Sequence, residues 1–267
     1  MRRGERGNES MTPIEHEQAP HSRVVALIDV DRTLIKSDYV FGVAMHAARQ
    51  LGLDEATEAE LTRREQENQG NAFDYLAELS RLAPSIDHSK IVERILADYE
   101  GVNASELMSN VFAPGAFDLL DVVHETSTRG MLLTAGGVET QTMKLQLVEK
   151  LLEHMGMKMF PWVIVDDSQQ EKTALAASVY DADRQEFDFV AMARLGKASS
   201  GVEMPAATDV EWVYVFDDKT SNTAPTHCDA VVGVLVDRAE RQPDGEERIP
   251  LDDAALLLRD LVLRSDA

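Results

Sequence analysis

Two aspartates spaced two residues apart at the end of an apolar run constrain this chain more than any other feature. Val24-Val25-Ala26-Leu27-Ile28 leads into Asp29-Val30-Asp31-Arg32-Thr33-Leu34. A short apolar run rich in β-branched residues reads as a buried strand. If extended backbone persists to Asp31, the two-residue period places both carboxylates on one side. Carboxylates so close repel each other unless a cation or a shared proton relieves them. A pair this costly at the end of a buried strand points to chemistry.

The rest of the chain alternates strand and helix around one interruption. Residues 1–22 are polar and without periodicity, and read as a disordered extension. Ser37 is the expected N-cap of a helix over 38–51, with Gly52 as its stop. Helical spacing of apolar residues predicts further helices over 58–69, 72–82 and 90–99, with no convincing strand among them. From Pro114 the rhythm returns. Helices are expected over 116–125, 138–155, 183–197 and 252–264, and strands over 131–133, 162–165, 212–216 and 231–236. The amphipathic helix over 138–155 carries Leu145, Val148, Leu152 and Met155 on one face. Such alternation predicts an α/β fold: a doubly wound, mainly parallel sheet with an all-helical insertion after its first strand.

Composition sets limits on function. The chain has 267 residues and a formal charge of −22, which argues against nucleic acid or an anionic membrane as main partner. No apolar run is long enough to span a bilayer. The basic start, Met1-Arg2-Arg3, lacks the apolar stretch of a secretory signal, and the one cysteine, Cys228, fits a reducing cytoplasm. An excess of acid is unfavourable for an enzyme acting on anions unless a bound cation and local donors reverse the potential at its site.

In open α/β sheets, ligands bind beyond the carboxyl ends of the strands. The expected strand ends are Asp29/Asp31, Thr134-Ala135-Gly136-Gly137, Asp166-Asp167 and Asp217-Asp218. In this order they resemble the motif set of the haloacid dehalogenase-like superfamily, which consists mostly of magnesium-dependent phosphatases. The resemblance spans Val24 to about Val236, and the helical insertion falls where that family carries a cap. It implies a core over 23–36 and 112–267 and a cap over 37–111.

The resemblance also implies roles. Asp29 would attack phosphorus and form an aspartyl-phosphate, and Asp31 would act as general acid and then base. True dehalogenases lack the second aspartate, so its presence favours a phosphatase. Thr134, with the backbone N–H groups of Ala135 and Gly136, would hold a phosphoryl oxygen at a helix N-terminus. Asp29, the Asp31 backbone carbonyl and Asp218 would hold Mg²⁺, with Asp217 or Asn222 assisting through water. The family's lysine is best matched by Lys172, just beyond the strand over 162–165. Lys197 and Arg184 are the other candidates, and Lys197 is expected at the far end of the sheet.

Departures from the family pattern are also visible. Arg32 stands where glycine is frequent, and Lys172 lies unusually far from Asp217 in sequence. Asp166-Asp167 imitates the metal motif but precedes the lysine candidate. Glu67, Asn68 and Gln69 are candidates for contacts from the insertion. The substrate expected is a small phosphorylated metabolite. A regulatory module with little turnover and a phosphomutase are the competing readings.

Overall fold

All five residues of β1 (Val24–Ile28) are fully buried, and parallel partners flank the strand on both sides. A strand covered on both faces has no reason to alternate polar and apolar residues, hence the unbroken run VVALI. The computed structural model describes residues 23–67, 73–98, 104–126, 128–165, 171–200, 206–237 and 248–265. The expected extension over 1–22, Asn68, Gln69, Asp166 and Asp167 lie outside the described residues.

Around β1 are β2 (Arg129–Ala135), β3 (Trp162–Val165), β7 (Trp212–Asp217) and β8 (Val231–Leu235), all parallel. A short β6 (Ala198–Ser199) closes one edge antiparallel, giving the order β6-β3-β2-β1-β7-β8. The chain builds outward from β1 in one direction, then crosses to β7 on its other side. The order therefore reverses at β1, the point where open α/β sheets form their ligand crevice.

Successive residues of β1 feed opposite cores. Val24, Ala26 and Ile28 belong to a large cluster with the helices α6 (Ala116–Glu125), α7 (Val138–His154) and α10 (Leu251–Ser265). Val25 and Leu27 belong to a smaller cluster with α8 (Lys172–Ser178) and α9 (Phe189–Leu195). Helices on both faces make the sheet doubly wound, as its period-two side-chain geometry requires.

Between β1 and α6 lies the helical block: α1 (Ser37–Gln50), α2 (Glu55–Glu67), α3 (Tyr75–Leu82), α4 (Lys90–Asp98) and α5 (Ala104–Val111). α1 packs on α4, and both α3 and α4 pack on α7 of the core. Gly52, at φ +108°, ends α1 in a conformation that side chains disfavour. No described helix is long and apolar enough to cross a membrane.

Several sequence expectations are corrected. Ser37 makes no cap hydrogen bond and is the first residue of α1, because its hydroxyl is spent on Asp31. The helix expected over 183–197 starts only at Phe189. Asp181 draws in the N–H groups of Asp183 and Arg184 to form a turn between β4 (Tyr180–Asp181) and β5 (Glu186–Phe187), and Asp188 then caps α9 through the Ala191 N–H at 2.8 Å. Lys172, beyond β3, begins α8, a helix that, like α5, the apolar spacing does not predict. Met155 lies past the end of α7 and is exposed rather than on its buried face.

Candidate active site

Asp29 follows β1 and continues its ladder, its N–H donating to the Phe216 carbonyl at 2.9 Å. This ties it to the end of β7, where Asp217 and Asp218 stand. All three carboxylates are buried, and each places an oxygen within 4.8 Å of the others. Lys172 reaches the group from the first turn of α8. Its ammonium bonds Asp29 and lies 2.6 Å from Asp217 Oδ2. Asp217 is further fixed by the Lys219 N–H at 2.8 Å and the Asn222 side-chain amide at 3.0 Å.

Asp29 and Asp217 share one lysine, which leaves an excess of negative charge between them. Burial is the largest influence on Asp29 and pushes it up. Lys172 opposes, Asp217 and Asp31 add to the rise, and the carboxyl stands at about 8. Burial alone would pull Lys172 down, but Asp29 and Asp217 outweigh it and hold the ammonium above its ordinary value.

Asp31 faces a different set of partners. Lys144, from the second turn of α7, bonds its Oδ1 at 2.5 Å, and the Ser37 hydroxyl donates to the same oxygen at 2.5 Å. Gln141, one helical turn before Lys144, donates to Oδ2 at 2.6 Å. Burial favours the neutral form, but these partners, led by Lys144, hold the carboxyl below its ordinary value. The backbone after Asp31 turns through Arg32 at φ +62°, the left-handed region where glycine would be unstrained.

The loop between β2 and α7 fixes the third side. Thr134 is fully buried and donates to the Gln141 side-chain oxygen at 3.1 Å, so it steadies the amide that in turn steadies Asp31. Asp74, the N-cap of α3, also caps α7. Its carboxylate accepts from the N–H groups of Glu139 and Thr140 at 2.9 and 3.0 Å, and from the Thr140 hydroxyl at 2.8 Å. One carboxylate thus ends two helices in different parts of the molecule. Gly137 lies so close to Asp74 that a Cβ there would collide with it.

No family model matches the sequence, and no curated protein sequence does either. A solved structure described as a haloacid dehalogenase-like hydrolase, from Burkholderia xenovorans, superposes over 91% of this chain and 99% of its own. The TM-score is 0.50 at 17% identity, which speaks for the fold. The chain has the haloacid dehalogenase-like fold. CbbY from Rhodobacter sphaeroides, solved in complex with phosphate, covers 90% of this chain and 99% of its own, with a TM-score of 0.45 and 15% identity.

Within this fold, a cavity of about 500 Å³ opens at the carboxyl ends of β1, β2 and β7. Asp29, Asp31, Lys172, Asp218, Ala135 and Gly136 all line it. Thr134 and Asp217 do not; they sit behind the residues that do. Lys197 and Arg184 are also absent from the lining: Lys197 adjoins β6, its N–H on the Ile164 carbonyl, and Arg184 pairs with Asp181 on the β4–β5 hairpin. Glu67, at the end of α2, pairs with Arg63 outside the cavity.

Sequence reasoning missed Lys144, Gln141, Ser37 in its bonding role, and Asp74. Gln141 and Lys144 stand three apart just after the Thr134-Ala135-Gly136-Gly137 turn, a spacing that puts both on one helix face toward the strand ends. That was the available signal for two of them. Asp74 carried none for its bonds to α7, since Glu139 and Thr140 lie over sixty residues away.

Proposed function

We propose that this chain is a Mg²⁺-dependent phosphatase acting on a small phosphorylated metabolite, with Asp29 as nucleophile and Asp31 as general acid and base. The observation that carries the reading is the Asp29–Lys172–Asp217 arrangement at the floor of a cavity that Asp31 also lines.

The donor set suits a hard divalent cation. Asp29, Asp217 and Asp218 offer only carboxylate oxygens, and Asp29 and Asp217 share a single lysine. Asp218 lines the cavity, whereas both Asp217 oxygens are bonded to protein groups. Asp29, Asp218 and the Asp31 backbone carbonyl are therefore the direct ligands in this reading, and Asp217 orients Lys172 and Asn222. Bound there, Mg²⁺ would neutralise Asp29 and the phosphoryl oxygens.

The residues divide the reaction between them. Asp29 attacks phosphorus, while Lys172 offsets the charge on the nucleophile and on the equatorial oxygens. Ala135 and Gly136 line the space for the phosphoryl group. Asp31 then delivers a proton to the leaving oxygen. At rest Lys144 keeps it ionised, and an arriving anionic substrate opposes that pull and favours proton uptake. After the leaving group departs, the ionised Asp31 takes a proton from the hydrolytic water. The helical block acts as a cap that keeps bulk water from this exchange.

Phosphate release from a panel of phosphate monoesters, p-nitrophenyl phosphate included, tests the reading. Release should require Mg²⁺, stop with EDTA and vanish in Asp29→Asn. Undiminished release by that variant would sink it.

A further inference from the structure

The cavity has a floor and a roof of different character. Its floor is charged, but the helical block contributes three aromatic rings to the lining: Phe41 from α1, Phe73 just before α3, and Tyr75 at its start. They form one continuous surface. The Phe41 and Tyr75 rings are tilted with centroids 4.2 Å apart, and Phe73 meets Tyr75 edge-on at 4.7 Å. All three are only partly buried, so ring surface remains turned to the cavity.

Polar groups near this wall are already matched within the protein. The Tyr75 hydroxyl is hydrogen-bonded to Glu65, and Asp38 pairs with Arg32 at 3.5 Å. A polyhydroxylated chain would therefore gain little from the wall, whereas a flat apolar group would bury ring surface against it. Asp38 is balanced by Arg32, and the three rings pack on one another rather than around a point, an arrangement that suits a flat group better than a compact cation. We infer that the site selects phosphate monoesters whose organic part is a planar ring one short linker away from phosphorus, held against Phe41, Phe73 and Tyr75.

This inference rests on the phosphatase reading, because it assumes phosphorus at the Asp29–Lys172 floor. About 500 Å³ accommodates a phosphate and one ring system. Calorimetric titration with three non-hydrolysable probes, in Mg²⁺, separates the two claims. Benzylphosphonate should bind about tenfold more tightly than methylphosphonate, the scale of one well-packed aromatic contact. Phe73→Ala should remove most of that ratio and Phe73→Leu part of it, with methylphosphonate affinity unchanged in both as the sign of an intact fold and floor. Equal affinity for the two probes, a ratio unchanged by both variants, or tighter binding of 2-aminoethylphosphonate than of benzylphosphonate would overturn the aromatic wall as selector. Absence of binding by every probe would overturn the phosphate floor, and the selection with it.

Discussion

Asp29 and Asp31 stand two residues apart, line one cavity and each meet a lysine, yet their surroundings act in opposite directions. Asp29 shares Lys172 with Asp217, is deeply buried, and is pushed up to about 8. Asp31 has Lys144 with a hydroxyl and an amide besides, is more open to the cavity, and is held low. The difference comes from what each strand end faces. Asp29 looks across to β7, where more carboxylates gather; Asp31 looks toward α1 and α7, which supply donors. Phosphatase chemistry needs the reverse assignment at the outset, an ionised Asp29 and a protonated Asp31. A cation at the first position and an anionic substrate beside the second each push in the required direction. In this account the protein's own charges oppose the first step until both are bound.

The largest effect should come from breaking the first environment. Lys172→Met leaves Asp29 and Asp217 buried without their cation partner, which should cost about 3–5 kcal/mol of stability by urea unfolding without metal. Added Mg²⁺ should restore part of that loss, and phosphate release should remain impaired. A variant as stable as the parent would mean that Lys172 does not neutralise the pair.

Breaking the second environment should reverse a pH dependence. Asp31 has a depressed pKa, so it contributes stability that is present above the ordinary carboxylate range and is lost as pH falls through its folded value. In Lys144→Met, burial prevails and lifts Asp31 above its unfolded value. Stability should then fall as pH rises through that raised value, with a cost of about 1–2 kcal/mol at neutral pH. Denaturation midpoints measured between acid and neutral pH would show the change of sign, and parallel profiles for the two proteins would refute it.

Asp74→Ala disturbs α7, which carries Gln141 and Lys144, without touching the Asp29 side. Removing a residue that caps two helices should cost about 2 kcal/mol. It should also loosen Asp31 more than Asp29, visible as faster amide exchange at Glu139 and Thr140 than in β1. The smallest effect belongs to Arg32→Gly. Relieving a left-handed side-chain-bearing residue should stabilise by about 0.5–1 kcal/mol, partly offset by the greater freedom of glycine when unfolded.

The same contrast explains what could be read from sequence. Asp29, Asp31, Asp217 and Asp218 were legible because each follows a short apolar strand, and a strand end is a local pattern. Lys172 could be placed on the correct side of the sheet by its order after β3, although the seven-residue helix that presents it gave too short a period to detect. The Asp31 side was harder. Lys144 and Gln141 sit inside a long amphipathic helix, where a polar residue reads as solvated surface, and both are in fact buried. Ser37 resembled a helix cap because its residue type and position suit one, and a tertiary contact claimed its hydroxyl instead. Asp74 depends wholly on how the helical block meets the core, which periodicity does not encode.

Asp29, despite its burial among acids, is in the proposed reaction the group that attacks phosphorus. The direct test is to mix enzyme, Mg²⁺ and p-nitrophenyl phosphate, quench in acid during turnover, and map the protein by mass spectrometry. An acid-stable, hydroxylamine-sensitive phosphoryl adduct is expected on the peptide bearing Asp29, absent in Asp29→Asn. Turnover with no adduct there, or with an adduct on another residue, would contradict it.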